Sequence, residues 1–174
     1  MSSLLNTTAS VQHVSPLPPG TDPAKGVAML HEHDVFIQCN PHMIKYEAIN
    51  TPTDPEPQLP SHGALTGIAP PKCYLVTDKV HTLPAGLWDS DVVSTVECIN
   101  LDKGLFVRVR SPLNCILENT WTVQEKSDGS GGHELKQDTI IKCSRLLVGI
   151  IQSTCESSWR DLHGNILERI QRES

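Results

Sequence analysis

Asp78 stands inside Tyr74-Leu75-Val76-Thr77-Asp78-Lys79-Val80, a run that otherwise reads as a β-strand, and carboxylates are disfavoured in strands. Period-2 alternation places Tyr74, Val76, Asp78 and Val80 on one face and Thr77, Lys79 and His81 on the other. A carboxyl group aimed into a mostly apolar pocket has a raised pKa and can act as a general base toward a carbon acid or enol. The competing reading pairs Asp78 with Lys79, Lys142 or an arginine on a neighbouring strand. Tyr74, on the same face, can donate a hydrogen bond to a ligand oxygen or simply pack with its hydroxyl at a rim.

In Leu105–Arg110 the same alternation sets Leu105, Val107 and Val109 against Phe106, Arg108 and Arg110. Facing a cavity, Arg108 and Arg110 would hold a carboxylate, enolate or ketone oxygen as fixed cations, with Phe106 beside them. Facing out, they form an ordinary solvated surface, the commonest place for arginine. Trp121 reads as core or cavity wall, and Trp88 stands where the next strand begins. His31-Glu32-His33-Asp34, with Cys39 and His42 nearby, has the composition of a metal cluster. Histidines at i and i+2 chelate from a strand but not from a helix, and this segment reads as helical, so no metal is expected. Proton transfer by His31 or His33 is the better use of these side chains. His81 and His62 are weaker candidates of the same kind. Lys142 could form a Schiff base only if desolvated. There is no Gly-x-Ser-x-Gly elbow, phosphate loop or dinucleotide fingerprint, so the expected chemistry needs no cofactor.

The elements that must hold these groups are legible in outline. From Ser144 to Ser174, Leu147, Ile151, Cys155, Trp159, Leu162, Ile166 and Ile170 recur at steps of three or four, the face of one long amphipathic helix. Strand signals run over Val11–Leu17, Met43–Ile49, Cys73–Thr82, Leu87–Asn100, Leu105–Ser111, Ile116–Glu125 and Glu134–Cys143. Leu83-Pro84-Ala85-Gly86, Asp102-Lys103-Gly104 and Ser111-Pro112 separate them as short meander turns. Thr21-Asp22-Pro23 is a helix start, followed by a second short helical turn over Val35–Gln38. Residues 1–10 read as a flexible tail, residues 11–174 as a single domain, and the proline-rich stretch 51–72 as a loop insertion. The order predicts an α+β fold: a curved antiparallel sheet of about six or seven strands around a long C-terminal helix, with two short helices after the first strand. A sheet wrapped on such a helix can enclose a cavity.

Composition narrows the field. The 174 residues, 38% hydrophobic, are enough to bury one core. A net charge of -6 without a basic stripe, and only 4% aromatic residues, argue against nucleic acid. The N-terminus lacks the pattern of a secretory signal, and no apolar run approaches spanning length. The six scattered cysteines then read as reduced thiols of a cytoplasmic protein.

At this point the chain resembles the START-like (SRPBCC, helix-grip) superfamily, and within it an uncharacterised family of small fungal polyketide-cyclase-like proteins. The matching residues are Pro16-Leu17-Pro18-Pro19-Gly20, Leu30-His31-Glu32-His33 with Asn40-Pro41, Tyr74-Leu75-Val76-Thr77-Asp78-Lys79-Val80 with Leu83-Pro84-Ala85-Gly86, Ser111-Pro112, Trp121 and Lys142-Cys143. The resemblance spans about Val11 to Arg169; the 51–72 loop is longer than the family pattern and the Trp121–Asp138 connection shorter. It implies a cavity for a hydrophobic, polyketide-like small molecule. The resulting expectation is a cofactor-independent cyclase of fungal secondary metabolism, closing a ring by an aldol-type or lactone- or pyrone-forming reaction. Asp78 or His31/His33 would move the proton, Arg108 would hold the oxyanion and Tyr74 would orient a carbonyl. Arg110, Trp121, Trp88, Phe106 and His81 would contact substrate. A non-catalytic lipid or metabolite carrier is the alternative, and exposed strand edges leave a homodimer open.

Overall fold

The computed structural model describes residues 6–81 and 89–173. Seven strands form one antiparallel sheet in the order β1-β7-β6-β5-β4-β3-β2. These are β1 (Asn6–Pro16), β2 (Met43–Ile49), β3 (Lys72–His81), β4 (Asp89–Leu101), β5 (Gly104–Ser111), β6 (Cys115–Glu125) and β7 (His133–Ser144). Two short helices, α1 (Pro23–His31) and α2 (His33–Gln38), follow β1, and α3 (Val148–Arg172) closes the chain. The helix-grip architecture expected from the order of elements is the one observed. β1 starts at Asn6 rather than Val11, because residues 6–10 pair with Ile140–Ser144 of β7 instead of trailing free.

Local chemistry explains the boundaries. Asp22 caps α1 through a 2.9 Å bond from the Ala24 amide, with proline in the first turn. The chain breaks at Glu32, whose amide bonds back to the Ala28 and Met29 carbonyls, so His31 and His33 fall on different helices. Gly104 opens β5 at a point of close backbone approach: a Cβ there would lie 1.8 Å from the Trp121 carbonyl oxygen.

The concave face of the sheet carries Tyr74, Val76, Val96, Leu105, Val107, Trp121, Val123 and Leu135, packed on Met29, Leu30, Phe36, Ile166 and Ile170. Fully burying Ile166 and Ile170 stabilises by about 1.5–3 kcal/mol each. A smaller cluster of Cys115, Ile141 and Cys143 meets Leu147, Ile151 and Cys155 at the N-terminal end of α3. The middle of α3 bridges these two packed zones.

The convex face is not bare. Residues from the 51–72 stretch lie across it: Leu59 and Leu65 cover Ile99, Leu101 and Phe106, the Ile68 amide bonds to the Asn100 carbonyl, and Gly67 bridges Leu101. The proline-rich stretch is therefore a strap on the sheet's outer surface.

Candidate functional site

Between the middle of α3 and the concave face lies a cavity of about 280 Å³. Its wall is mostly apolar, built from the inward positions of the strands: Val76 and Val80 of β3, Val92 and Val96 of β4, Val107 and Val109 of β5, and Leu117 of β6. Phe36 and Ile37 of α2 and Leu162 of α3 close it. Polar groups sit at its two ends.

One end is built around Asp78, which lines the cavity beside Asn40. Asn40 follows α2, and its side chain works in both directions. Its Oδ1 accepts from the His42 amide at 3.0 Å, while its Nδ2 donates to Asp78 Oδ1 at 3.1 Å. Desolvation raises the Asp78 pKa, opposed by the charge of nearby His42. Among the described residues no ion pair joins Asp78 to Lys79, Lys142 or an arginine; Arg108, Arg110 and Lys142 pair with Glu97 and Glu118 instead. A carboxyl group so placed can act as a base toward a carbon acid.

The other end is a directed hydrogen-bond chain. Ser15 Oγ lies 2.8 Å from His163 Nδ1, and His163 Nε2 lies 3.0 Å from Gln137 Oε1. Gln137 Nε2 donates to Asn119 Oδ1 at 3.1 Å, and the Thr139 hydroxyl donates to the same oxygen at 2.7 Å. Burial, and behind it the charge of His13, pushes His163 down to about 4, so its ring is neutral at pH 7. A neutral ring has one donor and one acceptor, which fixes the polarity: Ser15 donates to Nδ1 and Nε2–H donates to Gln137. His13, Trp159, Cys155 and Ser158 complete this end.

The remaining side chains singled out from the sequence fall elsewhere. Arg108, Arg110 and Phe106 point to the convex face. There Arg108 bonds Glu97 Oε2 at 3.0 Å, Glu118 Oε2 at 3.1 Å and the Gln58 carbonyl at 2.7 Å, while Arg110 bonds Glu97 Oε1 at 2.7 Å. Lys142 completes the network on Glu118. The cavity-facing alternative for the two arginines and Phe106 is thus corrected. The Leu105/Val107/Val109 face packs inward, and the arginines instead neutralise two carboxylates buried beneath the strap. Phe106 lies under Arg108, whose guanidinium carbon is 5.0 Å from the ring centroid, and is covered by the strap.

Tyr74 is inward-facing but fully engaged. Its hydroxyl lies 3.1 Å from His33 Nδ1, while His33 Nε2 lies 2.7 Å from Asn100 Oδ1. Burial pushes the phenol up to about 12 and lowers the His33 pKa. The pair seals the core below the cavity rather than lining it. His31 Nε2 sits 3.0 Å and 2.8 Å from the Leu101 and Gly104 carbonyls, tying α1 to the β4–β5 turn. Neither histidine lines the cavity, which moves both away from the proposed proton-transfer step. Trp121 does line it, edge-on to Phe36 and tilted against His163. Trp88 lies outside the described residues, as does the side chain of His81. Burial raises the thiols, Cys39, Cys115 and Cys155 to about 11 and Cys98 to about 12, so none is poised as a thiolate nucleophile. Sequence reasoning missed His13, Asn40, Asn119, Gln137 and His163. The only trace was a run of polar residues at inward strand positions, which alternation alone does not separate from a wet face.

No helix among the described residues is long and apolar enough to cross a membrane. No curated protein shows a significant sequence match. Solved structures do match in fold. Zhui aromatase/cyclase from Streptomyces sp. R1128 superimposes with a TM-score of 0.61 at 10% identity, covering 95% of each chain. A norcoclaurine synthase point mutant from Thalictrum flavum, in complex with a transition-state analogue, gives 0.61 at 13% identity over 97% of each chain. A conserved protein from Geobacillus kaustophilus gives 0.55 at 10% identity, covering 97% of this chain and 96% of that one. These similarities show a shared helix-grip fold. At the level of sequence, the model of the domain of unknown function DUF7053 matches residues 6–172, nearly the whole described fold, and the chain belongs to that family.

Proposed function

We propose that this protein is a cofactor-independent cyclase of fungal secondary metabolism, closing a ring on a small, reactive, polyketide-like intermediate held between the sheet and α3. The observation that carries this reading is Asp78: a desolvated carboxyl group of raised pKa on the wall of a largely apolar cavity. Two solved neighbours of the same fold are themselves named as a cyclase and a synthase, which agrees with the reading without extending to their substrates.

In this mechanism the Asp78 carboxylate removes a proton from an activated carbon or enol. The resulting carbanion or enolate attacks a carbonyl or acyl carbon of the same molecule, and the Asp78 acid returns the proton to the new alkoxide or to the leaving group. Confinement replaces a search among conformers by a near-attack geometry, and one positioned base typically contributes about a hundredfold or more. With Arg108 and Arg110 on the other side of the sheet, oxyanion stabilisation falls to neutral donors, the Ser94–Ser111 hydroxyl pair.

The carrier reading keeps one specific support, the absence of lysine and arginine among the described residues lining the cavity. The two readings separate with a 3,5-dioxo thioester that lactonises slowly by itself. Acceleration by the protein, reduced at least about a hundredfold in Asp78→Asn with probe binding retained, supports the cyclase. Binding without acceleration, or equal acceleration by Asp78→Asn, refutes it.

A further inference from the structure

Among the described residues lining the cavity, His13 is the one whose buried ring nitrogens make no hydrogen bond. It sits on an inward position of β1 and is 6% exposed. Its ring stacks on Trp159, with centroids 4.6 Å apart and planes within 11°, and stands edge-on to His163 at 6.4 Å. That packing fixes the ring but gives its nitrogens nothing. Glu156 Oε2 reaches within 3.3 Å of Nε2 from the half-exposed side of α3, yet it is out of hydrogen-bonding alignment. Both Nδ1 and Nε2 are buried without a hydrogen-bond partner. Native interiors rarely leave such groups unpaired, and each exception calls for an explanation, such as a functional role or a bound partner that completes the bond.

The neighbouring chain of bonds adds a second group. Its polarity directs Gln137 Nε2 and the Thr139 hydroxyl both onto Asn119 Oδ1, which turns the Asn119 Nδ2 donors away from that network. Asn119 on β6 and His13 on β1 are separated by β7 alone, about 10 Å along the sheet, and both line the cavity. The described lining residues include no lysine or arginine, while Asp78 at the far end disfavours anions. At about 280 Å³ the cavity is just below the range typical of drug-sized ligands.

We infer that His13 is a ligand-contacting residue, a ring nitrogen of which hydrogen-bonds a hydroxyl or enol oxygen of a compact, uncharged substrate, with Asn119 Nδ2 available to a second oxygen. This rests on the reading that the cavity holds the substrate, and it names the group that grips the end of the molecule remote from Asp78.

The test uses 2-naphthol as an uncharged hydroxyl-bearing probe, 2-methylnaphthalene as its oxygen-free match and 2-naphthoate as its charged counterpart. Binding is followed by tryptophan fluorescence, and the His13 ring nitrogens by NMR of histidine-labelled protein. His13→Phe keeps the stacking on Trp159, and near-ultraviolet circular dichroism verifies its packing. The variant should weaken 2-naphthol about five- to tenfold, the value of one neutral hydrogen bond, and leave 2-methylnaphthalene unchanged. The wild-type His13 nitrogen resonances should move on adding 2-naphthol, and 2-naphthoate should bind at least about tenfold more weakly. Equal affinity of His13→Phe and wild type for 2-naphthol overturns the role of His13 while the cavity reading stands. Equal or tighter binding of 2-naphthoate overturns the uncharged assignment. Undiminished 2-naphthol binding by Val109→Trp, which fills the cavity, overturns the cavity reading itself.

Discussion

Acid should loosen this protein in part through the buried imidazole of His163. His163 is 1% exposed, and burial, with the charge of His13 second, lowers its pKa from 6.5 to about 4. The unfolded chain therefore binds the proton more readily than the folded one. Stability from this group is fully present above the unfolded value of 6.5 and is lost as pH falls through the interval toward 4. At pH 4.5 the unfolded imidazole is charged while the folded one is still mostly neutral. With each pKa unit worth 1.36 kcal/mol, the loss relative to pH 7.5 comes to about 2–3 kcal/mol. Titrating carboxylates add their own pH dependence, so the assay is a difference. Urea unfolding of wild type and His163→Gln is compared at pH 7.5, 6, 5 and 4.5. Glutamine offers a donor and an acceptor to Gln137 and Ser15 without titrating. The variant is expected to be less stable at pH 7.5 but to lose about 2–3 kcal/mol less on acidification, so that the two curves converge. Curves that stay parallel within about 0.5 kcal/mol from pH 7.5 to 4.5 would show that His163 is not held neutral by burial.

Three further outcomes follow from packing and charge. Arg108→Met leaves Glu97 and Glu118 buried with less compensation and should destabilise by about 3–5 kcal/mol in chemical denaturation, while 2-naphthol affinity per folded molecule stays within about twofold; a large loss of binding would return the arginine to the cavity. Gly104→Ala, which forces a Cβ against the Trp121 carbonyl oxygen, should cost about 3 kcal/mol or more, and a near-neutral thermal shift would disprove that approach. Asp22→Ala removes the α1 cap and should cost about 1 kcal/mol, read in the same denaturation assay, with probe binding unaffected.

Much of the scaffold was legible because periodicity is a local property. The apolar residues of α3 recur at helical spacing, and the strands are runs of β-forming residues divided by short turn signals, so element type and antiparallel order followed from neighbouring residues alone. The Asp22-Pro23 helix start was read in the same way. Alternation also paired Asp78 with Tyr74 and Val76, and Arg108 with Arg110 and Phe106, correctly as residues sharing a face.

Which face encloses the cavity is a different kind of fact. Both sides of β5 carry apolar side chains, and a strand seen alone has no inside. The curvature of the sheet and the side on which α3 packs make Val107 and Val109 the wall. They send Arg108 and Arg110 under a strap contributed by residues about fifty positions earlier. Glu97 and Glu118 become their partners only through the β4–β5–β6 register, in which both stand opposite Arg108. The same holds for the polar end of the cavity. His13, Asn119, Gln137 and His163 come from three strands and a helix with no shared motif; the stacking of His13 and the hydrogen bonds among the other three exist only once β1 has paired with β7 and α3 has crossed both. Residue spacing determined the elements and the faces of this protein; long-range pairing, which no local pattern encodes, decided which groups meet in its cavity.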